Sequence, residues 1–181
     1  MFRGPILYSS AFRNSPPTEF FFRVLRVFRG HLLLGILFQC SVGFLLFMTL
    51  TTALRNRLEK AARDAAARAY APYSKFHVGA AVLAGSGKIF TGCNVENASY
   101  GLCNCAERTA IFSAIAAGET SVRCVVVYTP TPRPTPPCGA CRQVINELGT
   151  TAAVISTCNS EERIETTLDA LLPAAFGPQN L

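Results

Sequence analysis

The sequence predicts a mixed α/β fold, a single sheet with helices on its faces. Three observations carry this. Two short continuous β-branched runs, "VRCVVVYT" and "AAVIST", have the pattern of strands covered on both sides. Segments of helical apolar period lie before, between and after them. Glycines and prolines stand at the changes from one period to the other.

Residues 52–71, "TALRNRLEKAARDAAARAYA", place Leu54, Leu58, Ala61, Ala62, Ala65 and Ala69 near helical spacing and stop at Pro72, so a helix is expected. Residues 77–97 read as two extended runs folded into a hairpin about Gly85-Ser86-Gly87. A second helix follows over "CAERTAIFSAIAAG", with Ile111 and Ile115 on one face and Gly118 as its end. The strand "VRCVVVYT" and the proline-spaced loop "TPTPRPTPP" lead to a third helix, "CGACRQVINELG". The strand "AAVIST" and a short terminal helix in "TTLDALLPAAFGP", broken at Pro173, complete the order.

With 181 residues, 50% of them apolar, the chain is expected to build one core and one globular domain plus what the termini add. The net charge of +6 is uneven: residues 1–51 hold five arginines against Glu19, and residues 52–181 hold twelve Lys/Arg against ten Asp/Glu. A body carrying +2 does not argue for a nucleic-acid surface.

The first 47 residues are read as an apolar, Arg-flanked extension. No charge occurs between Arg29 and Arg55, and residues 31–50 are long enough to cross a hydrocarbon core as a helix. A membrane anchor is one reading. The favoured one is an upstream stretch ahead of a start at Met48, because the downstream chain reads as complete without the extension.

Eight cysteines stand at 40, 93, 103, 105, 124, 138, 141 and 158, several inside strand-like runs, which favours reduced thiols with a metal or catalytic subset over a disulfide scaffold. Cys105 opens one expected helix, and Cys138 and Cys141 open another. Helix N-termini stabilise thiolates, so three sulfurs at two such corners make a tetrahedral zinc site with one open position, the mark of a catalytic zinc. Glu107, two residues beyond Cys105, can lie beside the metal as a general acid/base without ligating it. Arg108 is a natural donor to the sulfurs, offsetting the charge of three thiolates.

Two rivals stand beside this reading: a thioredoxin-like dithiol in "PCGAC", and a closed structural zinc site with Cys103 as fourth ligand. Against the second, Cys103 is separated from Cys105 by one residue, whereas neighbouring ligands are usually further apart. Cys40, Cys93, Cys124 and Cys158 are expected as small buried apolar residues, and Cys103 as a bystander.

Cys-x-Glu followed by Pro-Cys-x-x-Cys is a thiolate form of the zinc nucleobase-deaminase signature. Together with "YAPYSKFHVGAAV", "GCNVENASYG", "CAERTAI", "PCGACRQV" and "LLPAAFGP", in order and approximate spacing, residues 52–181 resemble the small homotetrameric cytidine deaminases. The resemblance implies a three-layer α/β/α fold with a mixed five-stranded sheet in residues 48–181. It implies deamination of cytidine and 2′-deoxycytidine in pyrimidine salvage by a cytoplasmic homotetramer with one zinc per subunit. Cys105, Cys138 and Cys141 are then the ligands, Glu107 the proton shuttle and Arg108 the residue that tunes the thiolates. Asn94 and Glu96 match the pair that holds the ribose hydroxyls, Phe76 the aromatic near the base, and Ala106 a backbone contact to the base edge. Tyr100 and Phe176 match residues reaching sites shared between subunits.

Without the resemblance, Phe76 reads as core, Asn94 and Glu96 as turn or cap residues, and Phe176 as a tail anchor. Three departures, His77, Cys103-Asn104 and the proline-rich Thr131–Pro137, touch loop geometry and not the proposed chemistry. Within the superfamily a blasticidin-type deaminase is the alternative, and "NVEN" argues against it. A polynucleotide deaminase is disfavoured by the near-neutral body and the lack of an aromatic-basic strip.

Overall fold

The computed structural model describes residues 50–177 and 180–181, which belong to one compact unit. The extension and nearly all of the apolar run at 31–50 lie outside the described residues. Among the described residues no helix is long and apolar enough to cross a membrane.

The elements run α1 (Thr52–Ala66), β1 (Gly79–Ala84), β2 (Ile89–Cys93), a single 3₁₀ turn (Tyr100–Leu102), α2 (Ala106–Ala116), β3 (Val122–Tyr128), α3 (Gly139–Leu148), β4 (Ala153–Thr157), β5 (Arg163–Thr167) and α4 (Leu168–Leu171). The strands form one five-stranded sheet in the order β2-β1-β3-β4-β5. Only β3 and β4 are parallel, pairing Cys124 with Ala153 through Tyr128 with Thr157; the other neighbours are antiparallel. The expected mixed sheet with covered faces is therefore present.

Strand alternation divides the core in two. Val82, Val125, Val127 and Val154 pack with Ala110 and Ile111 of α2, Ile145 of α3 and Leu168 of α4. On the other face Ala81, Leu83, Cys124, Val126 and Ile155 meet Leu58, Ala62 and Ala66 of α1. These are three layers, with α1 alone below the sheet and α2 and α3 above it. Gly92 lets β2 and α2 approach closely: a Cβ there would lie 2.3 Å from the Ala110 nitrogen and 2.6 Å from the Ala106 carbonyl oxygen. The hairpin turn needs Gly87, whose φ is +88°.

Two boundaries differ from expectation. The first helix ends at Ala66 and not near Pro72, because Tyr70 donates its N–H to the Asn94 carbonyl and accepts from the Glu96 N–H, so backbone pairing to the 94–96 segment overrides alanine propensity. The last helix is four residues long, and the polar stretch before it is the edge strand β5, tied to α1 by the fork of Arg163 on Glu59, at 2.9 Å for both nitrogens, and by the Arg55–Glu165 pair.

Candidate active site

The parallel pair β3/β4 supplies the floor from which the chain turns up into α3, and α2 arrives beside it from β2. Cys105 is the N-cap residue of α2 and Cys138 that of α3, and neither side chain is spent capping its helix. Cys141 lies in the first turn of α3 and is buried. Two helix N-termini thus bring three sulfurs together, all within 4.8 Å of one another, with Cys105 and Cys138 4.0 Å apart. A tetrahedral zinc with bonds of about 2.3 Å spaces its sulfurs by about 3.8 Å, so the donor set fits that ion with little adjustment.

The electrostatics favour thiolate at the same point. The Cys105 thiol is lowered to about 5, first by a hydrogen bond from Cys141 and then by Arg108, against the cost of burial. Cys141, as the donor, shifts upward. Arg108 places Nη2 3.5 Å from the Cys105 sulfur and 3.1 Å from the Cys103 carbonyl, while its buried Nε has no partner among the described residues. The guanidinium is fixed on the Cys105 side of the cluster.

Glu107 is 4% exposed, and burial is the main cause raising its carboxyl pKa. It lines a cavity of about 410 Å³ together with Cys105, Cys138 and Arg108. A buried carboxyl with a raised pKa beside a metal-binding corner can both hold and release a proton.

Phe76, Asn94, Glu96, Tyr100 and Ala106 also line this cavity, so sequence-distant candidates converge on one hollow. Asn94 accepts from the Val78 N–H at 2.8 Å and donates Nδ2 to the Phe76 carbonyl at 2.9 Å. The Glu96 carboxylate accepts the N–H groups of Tyr73 and Ser74 and the Ser74 hydroxyl, which holds it below the usual carboxylate range. Both side chains therefore brace the loop that carries Phe76, besides facing the cavity. Tyr100 is 75% exposed and stacks edge-on with Tyr73 at 6.3 Å. Phe176 is not among the residues lining the cavity: it is 60% exposed, and its carbonyl accepts from Gln143 and Asn146 of α3.

Cys124 and Cys158 are buried as expected, Cys124 being pushed up to about 12 by burial, and Cys40 lies outside the described residues. Cys93 departs from the expected full burial, and Cys103 stands outside the three-sulfur cluster. Both are half-buried, and Cys103 lines the cavity with its sulfur 3.3 Å from the Asn97 N–H. Thr129, Thr135 and Pro136 line it too and were not singled out from the sequence. The position of Thr135-Pro136, directly ahead of Pro137-Cys138, is the signal that could have found them.

Comparison with known proteins agrees with this geometry. Residues 53–157 match the family described as the cytidine and deoxycytidylate deaminase zinc-binding region. A protein of Halalkalibacterium halodurans named cytidine deaminase is 48% identical over 128 residues, covering 70% of this chain and 97% of that protein. One of Mycobacterium tuberculosis with the same name is 41% identical over 126 residues, covering 70% and 92%. The crystal structure of cytidine deaminase from Burkholderia pseudomallei is similar with a TM-score of 0.65 at 53% identity, covering 67% of this chain and 98% of that one. The order of elements, the three-cysteine corner and these likenesses agree: the chain belongs to the cytidine and deoxycytidylate deaminase family.

Proposed function

We propose that residues 48–181 form a zinc-dependent hydrolase that converts cytidine and 2′-deoxycytidine to the uracil nucleosides with release of ammonia. The observation that carries this is the meeting, in one cavity, of the three-sulfur cluster, a buried carboxyl and the Asn94–Glu96 pair. Likeness to relatives named cytidine deaminase supports the substrate class.

Cys105, Cys138 and Cys141 would hold one zinc per subunit. When bound, zinc supplies the Lewis acidity that makes water acidic enough to react near neutral pH. Glu107 takes a proton from the attacking water and delivers it to N3 of the pyrimidine. The C4–N bond then breaks as Glu107 passes the proton of the new C4 hydroxyl to the leaving amino group, so water and nucleoside enter and ammonia and the carbonyl product leave. Arg108 spreads the negative charge of the sulfurs through its bond to Cys105. Asn94 and Glu96 hold the ribose hydroxyls, the ring of Phe76 flanks the base, and the backbone of Ala106 meets the base edge.

We assign the domain to a homotetramer in which Tyr100 and Phe176 reach a neighbour's site. Their exposure, with that of Leu102 beside Tyr100, supports an occluding partner. Pyrimidine salvage in the cytoplasm fits free nucleosides as substrates and thiolate ligands, with residues 1–47 preceding the enzyme itself. A blasticidin-type deaminase would turn over that antibiotic in place of cytidine. A dithiol oxidoreductase would bind no zinc and would show a reversible Cys138–Cys141 disulfide. Metal analysis coupled to substrate competition separates the three. Zinc-dependent loss of cytidine absorbance supports the proposal; a metal-free protein with a titratable dithiol overturns it.

A further inference from the structure

Of the three sulfurs, that of Cys138 belongs to the exposed residue, and it is delivered by the proline-rich loop between β3 and α3. Pro130, Pro132, Pro134, Pro136 and Pro137 leave the loop few N–H groups with which to fasten itself. Its first half is held from the β4–β5 turn, where Asn159 N–H donates to the Thr131 carbonyl at 3.0 Å and the Cys158 thiol lies 3.5 Å from the Pro132 carbonyl. The half that ends on Cys138 is held differently. Beside the ordinary helical bond from its backbone N–H to the Cys138 carbonyl at 3.0 Å, Arg142 donates Nε to the Pro137 carbonyl at 2.8 Å. Its Nη1 donates to the Leu171 carbonyl at 2.9 Å, an orphan acceptor at the end of α4.

We propose that Arg142 is a positioning residue for the metal site: its side chain pins the Cys138 sulfur in place by holding the Pro137 carbonyl immediately ahead of it and anchoring that hold to the Leu171 carbonyl at the end of α4. The side-chain partners of Arg142 among the described residues are carbonyl oxygens, so its fork is used for geometry and not to neutralise a carboxylate. Pro137, between the clamp and the ligand, is fully buried and stiff, which passes the restraint on to Cys138. The inference rests on the three-thiolate zinc reading.

The test is zinc transfer from the purified, zinc-loaded full chain to an excess of the chromogenic chelator 4-(2-pyridylazo)resorcinol. Wild type is compared with Arg142→Ala, Arg142→Lys and Asn146→Ala, with metal content measured before the chase and thermal melting recorded in parallel. Lysine offers one point donor and cannot hold both carbonyls, so both Arg142 variants should release zinc about 10- to 100-fold faster. Asn146→Ala loosens the same tail from α3 through the Phe176 carbonyl but leaves Pro137 held, and should lower the melting temperature without accelerating release. If Arg142→Ala does not fold, Arg142→Lys decides. Release from Arg142→Lys at the wild-type rate, or equal acceleration in Asn146→Ala, overturns the proposal. A wild-type chain with no zinc before the chase overturns the metal reading instead, so the two failures are distinct.

Discussion

Glu107 lies in the first turn of α2, two residues past Cys105, where burial favours the protonated carboxyl and the side chain lines the cavity, and the proposed proton relay takes its chemistry from that place. Glu107→Gln keeps the shape and removes the proton relay, so kcat should fall about 100- to 10,000-fold while zinc content stays unchanged; near-normal turnover in steady-state assays would refute the assignment. Asn94 has two tasks, since its amide braces the Phe76 loop and also faces the cavity. Asn94→Ala should raise KM for cytidine about 10-fold, the weight of a lost buried hydrogen bond or two, and should narrow the preference for cytidine over free cytosine. An equal loss on both substrates, read by parallel kinetics, would assign the residue to the loop alone. The meeting of Cys105, Cys138 and Cys141, with Glu107 beside them, was legible because Cys-x-Glu and Pro-Cys-x-x-Cys fix their spacing along two helix starts. Thr129 was not, because the turn of the chain beyond β3, which leaves no period in the sequence, brings it to the cavity, whereas Thr135 was marked only by its place just ahead of Pro137-Cys138.

Among the elements, contact between β2 and α2 sets where Cys105 and Glu107 sit. Gly92→Ala would press a methyl group against α2 backbone that cannot yield as a side chain would, at a cost of about 1–3 kcal/mol. Denaturant unfolding should show a lower midpoint, with zinc affinity reduced as Cys105 moves; unchanged stability would contradict the close packing. The buried strands β3 and β4 and the helices α2 and α3 were readable from continuous β-branched runs and helical apolar spacing. Edge strand β5 was not, because "RIETT" is polar and partly exposed and is held by cross-layer ion pairs to Glu59 and Arg55, partners about a hundred positions away that no local window contains. The early end of α1 has the same origin, a backbone pairing between Tyr70 and the 94–96 segment.

At the scale of the whole molecule, a zinc held by Cys105, Cys138 and Cys141 would join α2 to α3 and so should act as a staple as well as a reagent. Removing it with a chelator should abolish deamination and lower the melting temperature, and adding zinc back should restore both. Sedimentation should find four copies if the exposed Tyr100 and Phe176 meet neighbours; an active monomer would contradict shared sites. The proposed activity, zinc-dependent deamination of cytidine, is assigned to residues 48–181. Its most direct test is the zinc content of a chain beginning at Met48, measured together with the loss of cytidine absorbance and ammonia release. The prediction is one zinc per chain and stoichiometric conversion to uridine, both lost in Cys138→Ala; a folded Met48 chain that binds zinc but leaves cytidine intact, or turns it over without zinc, would contradict the account.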